Sequence, residues 1–248
     1  MKILEEEPQL ASKQKLPWLV SAFVYPASAS GLVHIAVFVF LPRIVSLIVN
    51  LLASAIGPIL REGTGYIITF LTVPFYILFY SYMTYYTCYR INDSSKGNMR
   101  ASDAPIADTF SIADFVSEVV LLFGCAAICF WPPPVYYMLT KQTDSWFWVL
   151  SLCGGFFFPM ALLRGILFES FDALNPVDII KSIINTFLPY CGLVIFSLVI
   201  AGFIVAALPR LPLWGFIIDA MRFYLIFVVA HRLGWFYWWN KDRLRWGL

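Results

Sequence analysis

Long stretches without a charged residue recur along this 248-residue chain, and they limit the folds that it can adopt. Several of them reach the roughly 20 residues that a helix needs to cross the hydrocarbon core of a bilayer. Lipid offers no hydrogen-bond partners to an open backbone, and a transmembrane barrel would show short alternating segments instead. Only 13% of the residues are charged, whereas a soluble domain carries about 25%. We therefore predict a single all-α, polytopic transmembrane helix bundle.

The apolar runs divide the chain into six predicted spans. These are approximately residues 31–56, 66–89, 116–139, 146–168, 189–208 and 213–238. Two further segments are predicted to lie along the membrane surface. Residues 16–30 are apolar but contain Pro17 and Pro26, and we expect Trp18 and Tyr25 to anchor them at the interface. Residues 176–187 follow Asn175, which can cap a helix, and they carry isoleucines at helical spacing.

The connections between these spans alternate in their content of lysine and arginine. The basic connections and tails hold Lys2, Lys13, Lys15, Arg90, Lys96, Arg100, Arg164, Lys181, Lys241, Arg243 and Arg245, and the others hold Arg61, Lys141 and Arg210. Basic residues concentrate on the cytoplasmic side, so both termini are predicted to face the cytoplasm. An alternative ends the first span at Leu41, places Arg43 at the surface and makes residues 44–60 another span. Seven spans would put the two basic termini on opposite sides.

Charged residues inside spans are costly in lipid and are candidates for function by default. Four residues are candidate intramembrane polar groups: Arg43, Arg164, Asp219 and Arg222. Asp219 and Arg222 lie three apart on one helix face and can form an ion pair, either as a structural pair or as part of an ion path. Arg164 is expected to extend to the surface and to pair there with Glu169 and Asp172.

The histidines and cysteines suggest two weaker sites. His34 and His231 could ligate a haem if they faced each other, but the charge of Arg232 favours polar roles in the core or at an interface. Cys125 and Cys129 are one turn apart, although no further ligand is close in sequence, which favours core packing. No motif of hydrolases, metalloproteases or nucleotide-binding enzymes is present. We therefore predict no enzyme activity, no cofactor and no metal site.

Several segments resemble a known family. In order they are VYPASASGL, GTGYIITFL, a loop rich in Gly, Pro and Asp, FFFPMALL followed by FESFDALNPVDIIKSI, and LGWFYWWNKDRLRW. This order is similar to that of uncharacterised six-span inner-membrane proteins that are frequent in planctomycete genomes. The resemblance implies a bacterial inner membrane and no particular activity. Arg43 and Arg164 depart from the pattern of that family.

The sequence favours a non-catalytic scaffold or accessory subunit of a membrane protein assembly. Its partners would be the lipid bilayer and other membrane subunits, and the net charge of +2 gives no reason to expect nucleic acid. Four residues near the carboxyl end are candidate partner contacts, because aromatic and arginine side chains dominate binding interfaces: Trp238, Trp239, Arg243 and Arg245. The same residues could instead form a membrane anchor. The alternative function is a small-solute transporter or channel, since Pro and Gly interrupt several spans.

Overall fold

The computed structural model describes residues 18–60, 64–98 and 112–246, and within these ranges the chain forms nine α-helices and no strand. The helices are α1 (Trp18–Val24), α2 (Ala29–Leu60), α3 (Thr64–Ser95), α4 (Ile112–Phe130), α5 (Pro132–Thr140), α6 (Ser145–Phe168), α7 (Pro176–Asn185), α8 (Phe187–Gly202) and α9 (Gly215–Leu244). The all-α prediction is confirmed. The polar tail before Trp18 and most of the predicted loop after α3 lie outside the described residues.

Three helical stretches in the described part are long and apolar enough to cross a membrane. They are Ala29–Ala55, Ser145–Phe168 and Phe187–Arg210, and the pair α4 and α5 forms a fourth candidate with a bend of 46°. The bend falls at the three consecutive prolines 132–134, since proline removes a backbone hydrogen bond and kinks or breaks a helix. Helices α3 and α9 are 32 and 30 residues long, but polar and charged side chains lower their apolar character. Three or four of the six predicted spans thus have the required length and composition.

The core contains two main groups of buried side chains. In one, Met160 and Leu163 of α6 are fully buried between α4, α8 and α9. In the other, Phe38 of α2 is 1% exposed and touches aromatic rings of α3 and α9, including Phe79 and Phe227. These aromatic contacts hold α2 against the α3–α9 pair, where the polar cluster described below also lies.

Short-range sequence signals determine several helix ends. The side chain of Asn175 accepts a hydrogen bond from the backbone amide of Val177 at 3.0 Å, and Pro176 is the first helical residue of α7, as predicted. A cap of this kind contributes about 1 kcal/mol. Asp144 caps α6 and also accepts a hydrogen bond from the Tyr136 hydroxyl at 2.7 Å, which lowers the pKa of the Asp144 carboxyl. Asp144 therefore joins the end of α5 to the start of α6.

The helix α2 is continuous through Arg43, as the interpretation with one long first span requires. Helix α9 begins at Gly215, and its start lies beside the middle of α2, because Arg43 contacts Asp219 and the Phe40 ring lies 6.3 Å from that of Phe216. The 17 residues 44–60 of α2 therefore continue past the start of α9, over about 25 Å at the usual helical rise. Most of their described side chains are apolar and exposed, as with Leu47 at 60%.

Two predictions about the first part of the chain are wrong. The second span was predicted to end at Tyr89, with a loop beginning at Arg90, but α3 continues as a helix to Ser95. Tyr25 was predicted to anchor a surface segment, but its side chain is only 1% exposed and packs inside the bundle. In the folded protein the two segments pack together, and the Tyr25 hydroxyl donates a hydrogen bond to Asp93 in the added turn of α3.

Candidate functional site

The last turns of α3 carry an unusual concentration of buried polar side chains. Arg90, Asp93, Ser94 and Ser95 are each 5% exposed or less. Arg90 and Asp93 are three residues apart and therefore lie on the same helix face. Burying a charge is costly unless it is paired and hydrogen-bonded, so the partners of these two residues decide what the cluster does. We call Tyr25, Ser30, Tyr86, Arg90, Asp93, Ser94 and His231 the buried polar cluster.

Asp93 is held by groups from three positions in the chain. One carboxylate oxygen accepts a hydrogen bond from the Tyr25 hydroxyl at 2.8 Å, and the other accepts one from the Asn98 side-chain amide at 2.6 Å. The Arg90 guanidinium lies 3.9 Å from the same carboxylate. Burial and the nearby Asp93 charge raise the pKa of the Tyr25 phenol, which keeps it protonated as a donor.

Arg90 joins α3 to the start of α2. Its guanidinium donates a hydrogen bond to the Ser30 hydroxyl at 3.1 Å and another to the Tyr86 hydroxyl. It also lies over the Tyr86 ring, 4.5 Å from the centroid, and 5.7 Å from the centroid of the Tyr89 ring. The charge of Arg90 is thus neutralised by Asp93 and further stabilised by hydroxyl groups and aromatic faces.

His231 belongs to this cluster and His34 borders it, and each ring stacks on a different tyrosine. The His231 ring stacks on Tyr25 with centroids 3.9 Å apart, and its Nδ1 lies 2.8 Å from the Ser94 hydroxyl. The His34 ring stacks on Tyr86 with centroids 4.0 Å apart, and its Nδ1 donates a hydrogen bond to the Ser30 carbonyl at 2.7 Å. This geometry fits the polar core roles that were favoured over haem ligation.

Helix α9 approaches α3 closely because Gly234 lacks a side chain. A Cβ atom at position 234 would lie 2.2 Å from the Ile91 carbonyl oxygen and 2.9 Å from the Ser95 amide nitrogen. This contact brings His231, one turn earlier on α9, to Ser94 and Tyr25. The buried polar cluster consists of an ion pair, hydrogen bonds and stacked rings. Together these contacts hold the segment before α2 against α3 and α9.

The predicted intramembrane groups Arg43, Asp219 and Arg222 come together in a second cluster, which we call the triad. One guanidinium nitrogen of Arg43 lies 2.5 Å from the Asp219 carboxylate, and Arg222 lies 3.3 Å from its other oxygen. Arg43 also donates a hydrogen bond to the Val39 carbonyl at 3.0 Å. The three side chains are 39%, 34% and 40% exposed in this order. The pair Asp219–Arg222 was predicted, and the addition of Arg43 was not.

Arg164 does not pair with the residues that were predicted for it. Its guanidinium donates a hydrogen bond to Asp178 at 3.0 Å, and it lies 5.8 Å from the centroid of the Trp246 ring. Glu169 instead ends α6 in a left-handed conformation with φ 50°. The chain then turns back, and Asp178 in the first turn of α7 reaches the end of α6. The predicted pairing with Glu169 and Asp172 is therefore wrong.

Of the four candidate contacts near the carboxyl end, one is half-buried and three are exposed. Trp238 packs on Gly97 and lies 4.4 Å from the Lys241 ammonium, whereas Trp239 is 71% exposed. Arg243 and Arg245 are also exposed.

Sequence reasoning missed Trp246, which joins the carboxyl end to the bundle. Its indole nitrogen donates a hydrogen bond to the Ser182 hydroxyl at 2.9 Å, and its ring stacks on Tyr237 with centroids 5.4 Å apart. No local pattern distinguishes Trp246 from the tryptophans before it. For the buried polar cluster a signal was present, since Arg90 and Asp93 continue the helical spacing of α3.

In comparisons with known proteins, no family model, curated protein or solved structure matches the chain. Within the described ranges, no three His, Cys, Asp or Glu side chains are grouped so that they could hold a metal ion. Function is therefore inferred from the charged clusters and the exposed surfaces.

Proposed function

We propose that the protein is a non-catalytic scaffold or accessory subunit of a membrane protein assembly, with six spans in a bacterial inner membrane and both termini in the cytoplasm. The observation that carries this proposal is the charge imbalance of the triad. Among the described residues, the guanidinium groups of Arg43 and Arg222 share the single carboxylate of Asp219. All three side chains are more than one-third exposed, so the excess positive charge lies at the protein surface.

The surroundings of the triad are apolar. Phe40, Leu41 and Ile44 are 50%, 39% and 52% exposed. An excess charge on such a surface is costly in lipid, and charged groups in membrane spans are usually paired with one another. Because α9 begins beside Arg43, residues 44–60 have no part of α9 alongside them. An apolar helix of a partner subunit, carrying one Asp or Glu, would cover these residues and balance the charge of the triad.

We expect the substitutions Arg43→Gln and Arg222→Gln, made together, to separate the protein from its partner subunit. Native electrophoresis and gel filtration in mild detergent should show a complex for the wild type. In the double variant the amount of complex should fall about tenfold or more, as expected when a charge pair buried in an interface is removed. Arg210→Gln serves as the matched control, because Arg210 is exposed and lies outside the triad. Replacement of the acidic residue in the identified partner should cause the same loss. A protein that migrates alone, or a complex that the double variant leaves intact, contradicts the proposal.

The proposed topology makes a separate prediction. Reporters placed in the connection between α3 and α4 and after Leu248 should report the cytoplasm, and a reporter at Gln142 should report the opposite side. The basis is the alternation of basic residues between connections. Gln142 is exposed in the turn between α5 and α6, so an insertion there disturbs little packing. A cytoplasmic result at Gln142 would show that the six-span topology is wrong.

The alternative function is a small-solute transporter or channel. The buried Arg90–Asp93 pair favours it, since ionisable groups within membrane proteins often mark solute or proton paths. However, no residue of that pair or of the triad lines any of four cavities in the described part of the chain. Solute flux in liposomes that contain the wild-type protein, and no flux in liposomes without it, would favour the transporter over the scaffold.

A further inference from the structure

A cavity of about 330 Å³ lies between the start of α8 and the second half of α9. Its wall combines charged, polar and aromatic side chains with a glycine: Arg232, Asn240, Trp235, Trp239, Phe196 and Gly192 are among the residues that line it. The Arg232 guanidinium lies within this wall, 6.0 Å from the centroid of the Phe196 ring. The cavity thus has a positive charge at an aromatic face and hydrogen-bond donors at its edge.

The cavity lies near one end of an apolar stretch that is long enough to cross a membrane. That stretch is Phe187–Arg210, and the cavity residues Pro189–Phe196 are its third to tenth members, which places them about 3–14 Å from its start at the usual helical rise. Trp239 at the rim is 71% exposed, and tryptophan is enriched where lipid headgroups meet the hydrocarbon. The rim at Trp239 is therefore at the level of the lipid headgroups, and the Arg232 guanidinium lies deeper in the cavity, beside Phe196, where it can attract a phosphate inward from that level.

An apolar stripe on α8 continues outward from the cavity. Leu188, Ile195 and Val199 are 82%, 62% and 65% exposed. Together with Gly192 they are spaced by three or four residues, so all four lie on one side of the helix. Gly192 leaves a gap in this stripe, and a Cβ atom there would meet nothing within 4 Å. A molecule with a phosphate in the cavity could thus lay hydrocarbon chains along α8.

We propose that this cavity is a binding site for the phosphate of an anionic phospholipid. Arg232 supplies the charge, since arginine is suited to phosphate recognition. The indole of Trp239 and the amide of Asn240 border the headgroup, and Ile195 and Val199, which lie deeper on α8, contact the acyl chains. Basic pockets between membrane helices commonly hold anionic lipids. This proposal depends on a membrane location and not on the scaffold role.

The test uses full-length protein purified in mild detergent and examined by native mass spectrometry. Phosphatidylglycerol and phosphatidylcholine with the same acyl chains are added in equal amounts. We expect the wild type to retain phosphatidylglycerol in preference, and Arg232→Gln to reduce that preference about tenfold, the usual effect of losing a charged hydrogen bond. Gly192→Leu should reduce the retention of both lipids, because its side chain fills the cavity while Arg232 remains.

Two matched controls separate this site from general effects. Gly202→Leu adds the same side chain to α8, also into open space, but outside the cavity. Arg210→Gln removes an exposed positive charge that lies outside the cavity. Both should keep the wild-type preference, and millimolar inorganic phosphate should not displace the lipid. Equal retention of the two lipids by the wild type, an unchanged preference in Arg232→Gln, or equal losses in Gly192→Leu and Gly202→Leu would overturn the proposal. Should Arg232→Gln fail to fold, Gly192→Leu decides the question.

Discussion

Replacement of Asp93 by asparagine is expected to destabilise the protein by about 3–5 kcal/mol, the usual cost of breaking a buried ion pair. Arg90 is 1% exposed and Asp93 is 5% exposed, so loss of the carboxylate leaves a positive charge where water cannot compensate it. The asparagine keeps the shape of Asp93, and it can still accept the hydrogen bond from the Tyr25 hydroxyl. The expected loss therefore comes mainly from the charge and not from a cavity.

Thermal or denaturant unfolding in detergent measures this effect. Asp172→Asn is the matched control, because Asp172 is exposed, and surface substitutions usually change stability by less than about 0.5 kcal/mol. Adding Arg90→Met to the Asp93→Asn protein should recover part of the loss, since the unpaired charge is then removed as well. If Asp93→Asn unfolds with the wild type, the buried polar cluster does not hold the segment before α2 in place.

The second large effect is expected for Gly234→Ala. The added methyl group would lie 2.2 Å from the Ile91 carbonyl oxygen and 2.7 Å from the Cβ atom of Ser94. These neighbours belong to the backbone and to a buried side chain, so they can yield only if α9 moves away from α3. Overpacking of this kind typically costs 1–3 kcal/mol, and we expect about 3 kcal/mol here because the contact is with backbone. The movement would also separate His231 from Ser94 and Tyr25.

Gly192→Ala and Gly202→Ala are the matched controls for this substitution. Both glycines lie in α8, and a Cβ atom at either would meet nothing within 4 Å. Alanine stabilises a helix interior by about 0.5–1 kcal/mol relative to glycine, so both variants should be as stable as the wild type or slightly more stable. Unfolding measurements on the three variants give the comparison. A Gly234→Ala protein as stable as these controls would contradict the close approach of α3 and α9.

Local features of the structure could be predicted because the residues that make them are close in sequence. Asn175 and Pro176 predict the start of α7, and Asp219 and Arg222 predict an ion pair, since three residues bring side chains to one helix face. The prolines after Trp131 predict the bend between α4 and α5. The long uncharged runs predict helices, because lipid leaves few other ways to satisfy the backbone.

The partners of the charged residues could not be predicted, because they depend on which helix faces meet. Arg43 and Asp219 are 176 residues apart, and Tyr25 and Asp93 are 68 apart. Arg164 had three acidic residues within reach along the chain, and the turn between α6 and α7 decides that Asp178 contacts it. Sequence reasoning placed Arg90 and Asp93 in a water-exposed loop on polarity alone.

The sequence by itself therefore determined the helices, their caps and the apolar surfaces, since hydrogen bonding and helical spacing act over a few residues. Only the tertiary structure decided where the buried polar cluster, the triad and the α8–α9 cavity lie. Each requires segments from distant parts of the chain to approach within a few ångströms. That approach depends on packing, as at Gly234, where the absence of one side chain lets α9 lie against α3.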